Sequence, residues 1–228
     1  MGAGNALKMM TSQEQITRIR VTYAKGQSLR FTGHLDLQRL WERLLRRSSL
    51  PIRYSQGYNP RARLNLASAL PLGVVSEAEL LDFWLDEALP TEAVAKALAQ
   101  NSLPGLEIKT IQAVSLSEKA LQEQMAASDY EIQFYDAQPR ELLEEKVAAL
   151  LAAESLPRER RRKSYDLRPL ILSLQVITLA DGEPGLQMRL NAAPGATGRP
   201  DEVLEELGFA NTAYLACRTG LILSAQGT

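Results

Sequence analysis

The pattern of apolar and polar positions changes period several times along the chain. In TRIRVTYAKGQSLRF (residues 17–31), Ile19 and Val21 alternate with Arg18, Arg20 and Thr22, which predicts a strand. From His34 to Arg47, Leu37, Leu40, Trp41, Leu44 and Leu45 recur at helical spacing, so one apolar stripe faces a core and Arg39, Arg43 and Arg46 fall on the other side. Residues 52–66 read as an extended segment broken by the turn formers Gly57, Asn59 and Pro60. A strand follows over 78–86, a helix over 91–99 with Thr91 as N-cap, and an alternating strand over 106–114.

The order βαββαβ then repeats. After a polar, helix-prone stretch, the pattern predicts a strand at 130–135, a helix at 139–154 and a strand at 170–179. A turn at 182–185 leads to a returning strand at 186–191. A short helix at 201–207, closed by Gly208, precedes a last strand at 214–223. The expected fold is α+β: two tandem ferredoxin-like domains, each with an antiparallel sheet carrying two helices on one face. Their expected bounds are 17–114 and 130–224, with an N-terminal tail at 1–16 and a linker at 115–129.

Composition narrows the chemistry. The chain has one cysteine, Cys217, and one histidine, His34, among 228 residues. Disulfide frameworks, multi-thiolate metal centres and most histidine-based triads are excluded, so neither a metal site nor a cofactor is expected. No apolar run approaches the roughly 18 residues a membrane helix needs. The N-terminal stretch has no apolar signal core, so a cytoplasmic setting is expected, with no membrane partner.

A formal net charge of −1 conceals strong segregation. Residues 16–65 hold eleven basic side chains, ten of them arginine, against only Asp36 and Glu42. A second basic run contains Arg158, Arg160, Arg161, Arg162, Lys163 and Arg168, and its 158–163 part is expected to be an exposed loop between helix and strand. The bland account is a solvated face balanced by acidic residues elsewhere. Blocks made almost wholly of arginine favour a polyanion site, because the guanidinium fork grips phosphate in two places.

Three segments carry candidate chemistry. In TGHLDL (32–37), Asp36 suits the first turn of a helix, and His34 is a candidate general base because imidazole titrates near neutrality. RYSQGYNPRARLNL (53–66) presents Tyr58 and Asn59 at a turn, with Arg61 and Arg63 following on one strand face, the combination that unpaired RNA requires. In GATGRPDE (195–202), Arg199 and Pro200 open a helix in a position suited to an anion, without the ending of a P-loop. Asp166 and Arg168 alternate with Leu167 and are expected to share one sheet face. The predicted RNA-contacting set is therefore Arg39, Arg43, Arg46, Tyr58, Asn59, Arg61, Arg63, Arg160, Arg161, Arg162, Lys163, Arg168 and Arg199, with His34 and Asp36 as catalytic candidates.

Taken together, TGHLDLQRLWERLLRR, QGYNPR, LPLG, DLRPL and RPDEVL resemble the radical-SAM-associated domain of unknown function found beside, or fused to, bacterial radical-SAM proteins. The resemblance spans about residues 17–223. It implies work on RNA modification or near the ribosome, with a radical-SAM protein and tRNA or rRNA as partners. Radical-SAM chemistry needs three closely spaced cysteines, and this chain has one, so any such chemistry belongs to a separate partner. The expected architecture is also similar to that of CRISPR repeat-cleaving endonucleases and certain pseudouridine synthases, although no motif here matches the latter's catalytic Asp loop. Three readings follow: a noncatalytic RNA-binding or substrate-presenting partner of a radical-SAM enzyme, a metal-independent RNA-processing enzyme using His34, or a protein–protein adaptor with a basic face.

Overall fold

A computed structural model describes residues 16–160 and 162–224. The strands are β1 (Thr17–Lys25), β2 (Leu64–Leu66), β3 (Val74–Leu85), β4 (Leu106–Val114), β5 (Met125–Phe134), β6 (Pro157–Arg160), β7 (Lys163–Asp166), β8 (Ile171–Thr178), β9 (Pro184–Ala193), β10 (Ala196–Thr197) and β11 (Tyr214–Leu223). The helices are α1 (His34–Arg47), α2 (Thr91–Ala99), α3 (Leu121–Gln124), α4 (Arg140–Ala152) and α5 (Pro200–Glu206).

This is a mixed α+β fold built on one large, mostly antiparallel sheet. Its main path runs β10-β9-β5-β11-β3-β1-β4, with β2 paired to β3 and β8 paired to β9. Within the first half the strands lie β4-β1-β3-β2, and within the second β11-β5-β9-β8. The halves meet where β11 pairs parallel with β3 over Ala216–Arg218 and Val74–Ser76. The sheet is therefore continuous through the region expected to separate two sheets.

Each half buries the apolar face its sequence pattern requires. Ile19, Val21 and Tyr23 from β1 and Leu81, Phe83 and Leu85 from β3 pack with Leu37, Trp41, Leu44 and Leu45 of α1 and Val94 and Leu98 of α2. Tyr130, Ile132 and Phe134 of β5 and Leu186, Met188 and Leu190 of β9 pack with Leu143, Val147 and Leu150 of α4 and Val203 and Leu204 of α5. Fully burying such side chains stabilises by roughly 1.5–3 kcal/mol each, before the entropy of ordering the chain is subtracted.

The sheet's opposite face shows why 115–124 is not a simple linker. Leu80, next to the core residue Leu81, points the other way and joins Ala67, Leu121 and Met125 in a third cluster. Arg18 donates through its two terminal nitrogens to the carbonyls of Glu118 (2.6 Å) and Lys119 (2.9 Å), holding the segment down. Beneath it, the buried Asp82 carboxylate is held by Arg18 and Arg20, whose Nε atoms donate at 2.7 and 2.8 Å. Such a buried cluster is tolerable because every charge has a charged, hydrogen-bonded partner. Consequently β5 starts at Met125, five residues earlier than periodicity predicts.

Three local expectations are corrected. Pro90, not Thr91, is the N-cap of α2, and no side chain caps it. Asp166 and Arg168 do not share a strand face, because β7 ends at Asp166 and Arg168 begins a 3₁₀ turn. The basic run near 160 is a hairpin of β6 and β7 rather than an exposed loop.

Candidate nucleic-acid interface

The fold sorts the predicted arginines into separate places. On α1, Arg39, Arg43 and Arg47 sit four residues apart and line one groove of about 400 Å³ with Thr32, Asp36 and Leu103. Arg46 is exposed on the same helix. The apolar stripe fixes this arrangement by turning the arginines to solvent. Asp36 answers one of them, accepting from Arg39 at 3.1 Å; both side chains are about two-thirds exposed, so the pair is a weak restraint. Arg43 and Arg46 have no ion pair or hydrogen bond among the described residues.

Tyr58 tops a second feature. Bridges join Ile52 to Leu85 and Tyr54 to Ala62, and the Ser55 N–H donates to the Arg61 carbonyl at 2.8 Å, so residues 52–66 form an irregular hairpin. Gly57 turns with φ of 136°, and Tyr58, Asn59 and Arg61 are exposed. Arg63 lies over the Trp84 ring at 4.4 Å, with Arg18 also near that ring at 5.2 Å. Trp84 alternates with the core residues Phe83 and Leu85, which places Arg63 on the sheet face opposite α1. Arg63 and the α1 arginines therefore do not form one surface.

The remaining predicted contacts are largely occupied. Arg160 donates to Glu202 and to the Thr197 carbonyl, and lies over Tyr165 at 4.9 Å. Its neighbour Arg158 pairs with Glu205 and Glu206, each at 2.8 Å. Arg168 donates to the carbonyls of Leu151 (3.0 Å) and Ile171 (3.3 Å). Arg162 forms the turn of the hairpin with φ of 64°, and Lys163 is exposed beside it. Arg161 lies outside the described residues.

His34 is the first residue of α1, and its Nδ1 is enclosed without a hydrogen-bond partner. No hydrogen bond joins it to Asp36 or to a nucleophile among the described residues. Arg199 pairs with Asp201 at 3.0 Å at the start of α5.

Sequence reasoning missed the polar core at the junction of the halves. Arg218 and Glu79, both buried, form a bidentate pair in which Nε donates to Oε1 at 2.7 Å. Lys25, also buried, donates to the carbonyls of Arg30 (3.2 Å) and Val74 (3.3 Å), and burial pushes its pKa down. Above them, Arg30 donates to the Gly73 carbonyl (2.7 Å), the Tyr135 hydroxyl (3.0 Å) and the Tyr214 carbonyl (3.2 Å). Isolated charges inside otherwise apolar strands, such as Glu79 and Asp82, were the available signal.

Among the described residues, no group of three or more His, Cys, Asp or Glu is placed to hold a metal ion. No helix among them is long and apolar enough to cross a membrane.

A family model described as an uncharacterized protein conserved in bacteria (DUF2344) matches residues 18–200. No curated protein matches the sequence. Among solved structures, the chain is similar to a Cbf5-Nop10-Gar1 complex, at 8% identity and a TM-score of 0.43 over 90% of this chain and 48% of that one. It is also similar to an archaeal box H/ACA sRNP Nop10-Cbf5 complex, at 11% identity and a TM-score of 0.41 over 90% of this chain and 47% of the other. A putative dyp-type peroxidase from Shewanella oneidensis shares 12% identity at a TM-score of 0.21, covering 86% and 83% of the two chains. The chain spans about half the length of the first two. At these TM-scores the likenesses carry no weight for function.

Proposed function

The chain belongs to the DUF2344 family of uncharacterized bacterial proteins, and on that premise we propose that it binds RNA without catalysing its conversion, presenting it to a radical-SAM enzyme. The observation that carries the RNA part is the groove on α1, where Arg39, Arg43 and Arg47 recur at one-turn spacing and only Asp36 opposes them. Three arginines whose Cβ atoms recur about 6 Å apart suit successive phosphates. Arg43 is unpaired among the described residues, and Arg39 and Arg47 each make one exposed contact, to Asp36 and to the Asn101 carbonyl, which leaves most of their hydrogen-bonding capacity for a ligand. Tyr58 and Asn59, with Arg61, form a second exposed contact that supports stacking and edge recognition. Arg160 and Arg168 take structural roles in this reading.

The radical-SAM partner, and tRNA or rRNA as the class of RNA, rest on the sequence resemblance alone. The strand orders β4-β1-β3-β2 and β11-β5-β9-β8 support reading the chain as two ferredoxin-like units that share a sheet, at 17–114 and 130–224. Residues 115–129 would be the connection between them, packed onto the sheet over 115–124 and continuing as the first residues of β5.

Fluorescence anisotropy with a labelled 12-nucleotide single-stranded RNA tests the RNA part, from 50 to 200 mM salt. Binding that weakens steeply with salt is expected. Indifference to RNA together with tight binding of an acidic peptide would overturn the reading in favour of an adaptor.

A further inference from the structure

A cleft of about 350 Å³ lies where the two halves meet, walled by Arg30, the 71–74 segment, Tyr135, Arg199–Asp201 and Tyr214. Its contents are unlike a packing defect. Arg30 and Arg199 bring two positive charges and Asp201 one negative, so the walls carry a net charge that one phosphodiester would balance. The Tyr214 phenol is pushed up by burial and then by Asp201, against Arg199 and Arg30, so it stays a hydroxyl at neutral pH. The floor is apolar, formed by Val74 and Ala216.

Exposed apolar side chains stand at the mouth: Leu72 and Tyr135 line it, and Phe31 flanks it beside Gly73 of the wall. Phe31 is 76% exposed, Leu72 66% and Tyr135 58%. Arg30 ties these rings together: its guanidinium lies 5.4 Å over Phe31 and donates to the Tyr135 hydroxyl. Exposed ring faces beside a fixed guanidinium, around a concavity of ligand size, suit a flat heterocycle joined to an anion. The cleft also adjoins the arginine groove, since Arg30 walls the former and Thr32, two residues on, lines the latter.

We propose that this cleft binds a single nucleotide unit, with its phosphate at Arg30 and Arg199 and its base against Phe31 and Tyr135. The proposal deepens the RNA-binding reading and rests on it: a strand tracked along α1 delivers one unpaired nucleotide into the cleft. Asp201 and the Tyr214 hydroxyl then offer an acceptor and a donor to the ribose or the base edge. A protein segment fits less well, because the charged groups stand inside a concavity rather than on a rim around a broad apolar patch.

The test uses the full chain, with uridine 5′-monophosphate and a labelled U12 oligonucleotide as probes. Phe31→Ala and Arg199→Gln alter exposed side chains, and their melting curves should overlay wild type. Uridine 5′-monophosphate should shift the Tyr135 and Tyr214 NMR resonances saturably. Phe31→Ala should weaken its binding by roughly 5- to 150-fold, the range of one lost base stack, and Arg199→Gln should weaken it with a flatter salt dependence, as loss of a phosphate contact requires. A parallel loss of U12 affinity places the RNA's own nucleotide in the cleft, whereas U12 binding indifferent to Phe31→Ala makes a free nucleotide the occupant. No mononucleotide binding, with U12 affinity unchanged in both variants, overturns the cleft proposal. Failure of the α1 reading is separate: it shows as U12 affinity that ignores Arg43→Gln. Protection of Phe31 and Tyr135 by an acidic peptide, but by neither nucleotide probe, also overturns the proposal.

Discussion

Replacing Glu79 with glutamine should leave Arg218 as a buried cation without its counter-charge. Arg218 is fully enclosed at the parallel joint between β11 and β3, and its other side-chain contacts are a 3.3 Å hydrogen bond to Ser68 Oγ and an interaction with the Tyr130 hydroxyl, neither of them a counter-charge at neutral pH. Losing one member of such a pair costs about 3–5 kcal/mol, since desolvation of the survivor is no longer offset. For a chain of this size each kcal/mol moves Tm by roughly 2–4 °C, so Glu79→Gln should melt about 6–20 °C below wild type. Replacing both partners, as in Glu79→Leu with Arg218→Met, should recover most of that loss, because the pair's own desolvation cost also disappears. Lys25 adds a pH signature. Its pKa is already lowered by burial, with Glu79 opposing and Arg218 adding to the fall. Without Glu79 the folded state sheds this proton more readily, while the unfolded lysine holds it to about 10.4. Between those values the unfolded state binds more protons, so the variant's deficit should shrink as pH rises toward 10. Urea denaturation followed by circular dichroism at pH 7 and pH 9.5 measures both effects. A single variant within 1 kcal/mol of wild type, or a double variant no better than the single, would refute the reasoning.

Two further outcomes are expected elsewhere in the fold. The Cys217 thiol is raised to about 11, by burial first and then by the Glu77 and Glu131 carboxylates. Iodoacetamide should therefore modify the native protein slowly at pH 8, with a rate midpoint near 11. Its linkage contribution is present below about 9 and is lost as pH rises through 11, so a midpoint near 8.5 would contradict the assignment. Gly105 has φ of 83° and faces the 27–29 turn, where an added Cβ would lie 2.1 Å from Ser28 Oγ. Gly105→Ala should cost at least about 2 kcal/mol, from left-handed strain together with overpacking, and Ser28→Ala should relieve only the packing part in chemical denaturation.

Much of the local structure is legible in the sequence because each element has a clear period. Helix α1 spans His34–Arg47, the stretch its leucine and tryptophan stripe marks out, and the last strand runs from Tyr214 to Leu223 as its pattern predicts. What periodicity does not carry is how the halves meet. The β11–β3 pairing joins residues some 140 positions apart, and the Arg218–Glu79 pair that accompanies it reads in sequence as two unrelated surface charges. The start of β5 escapes for a similar reason: Met125–Ser128 is apolar on a face covered by α3, a burial that only the tertiary fold supplies. Net charge over residues 16–65 likewise counts Arg18 and Arg20 as available, although Asp82 holds both in the interior. The α1 stripe survives because a helix turned by its apolar face must expose its other side. The cleft escapes because Arg30, Tyr135 and Arg199 come from three distant segments.

The salt dependence of RNA affinity in a variant with Arg39, Arg43 and Arg47 all changed to glutamine tests the central claim most directly. Each phosphate neutralised on a single strand contributes about 0.7 to the slope of log K against log salt. Losing three contacts should flatten that slope by about two, with affinity falling most at low salt and the melting curve unchanged. A variant that binds RNA with the wild-type slope would contradict the claim that α1 carries the phosphate track.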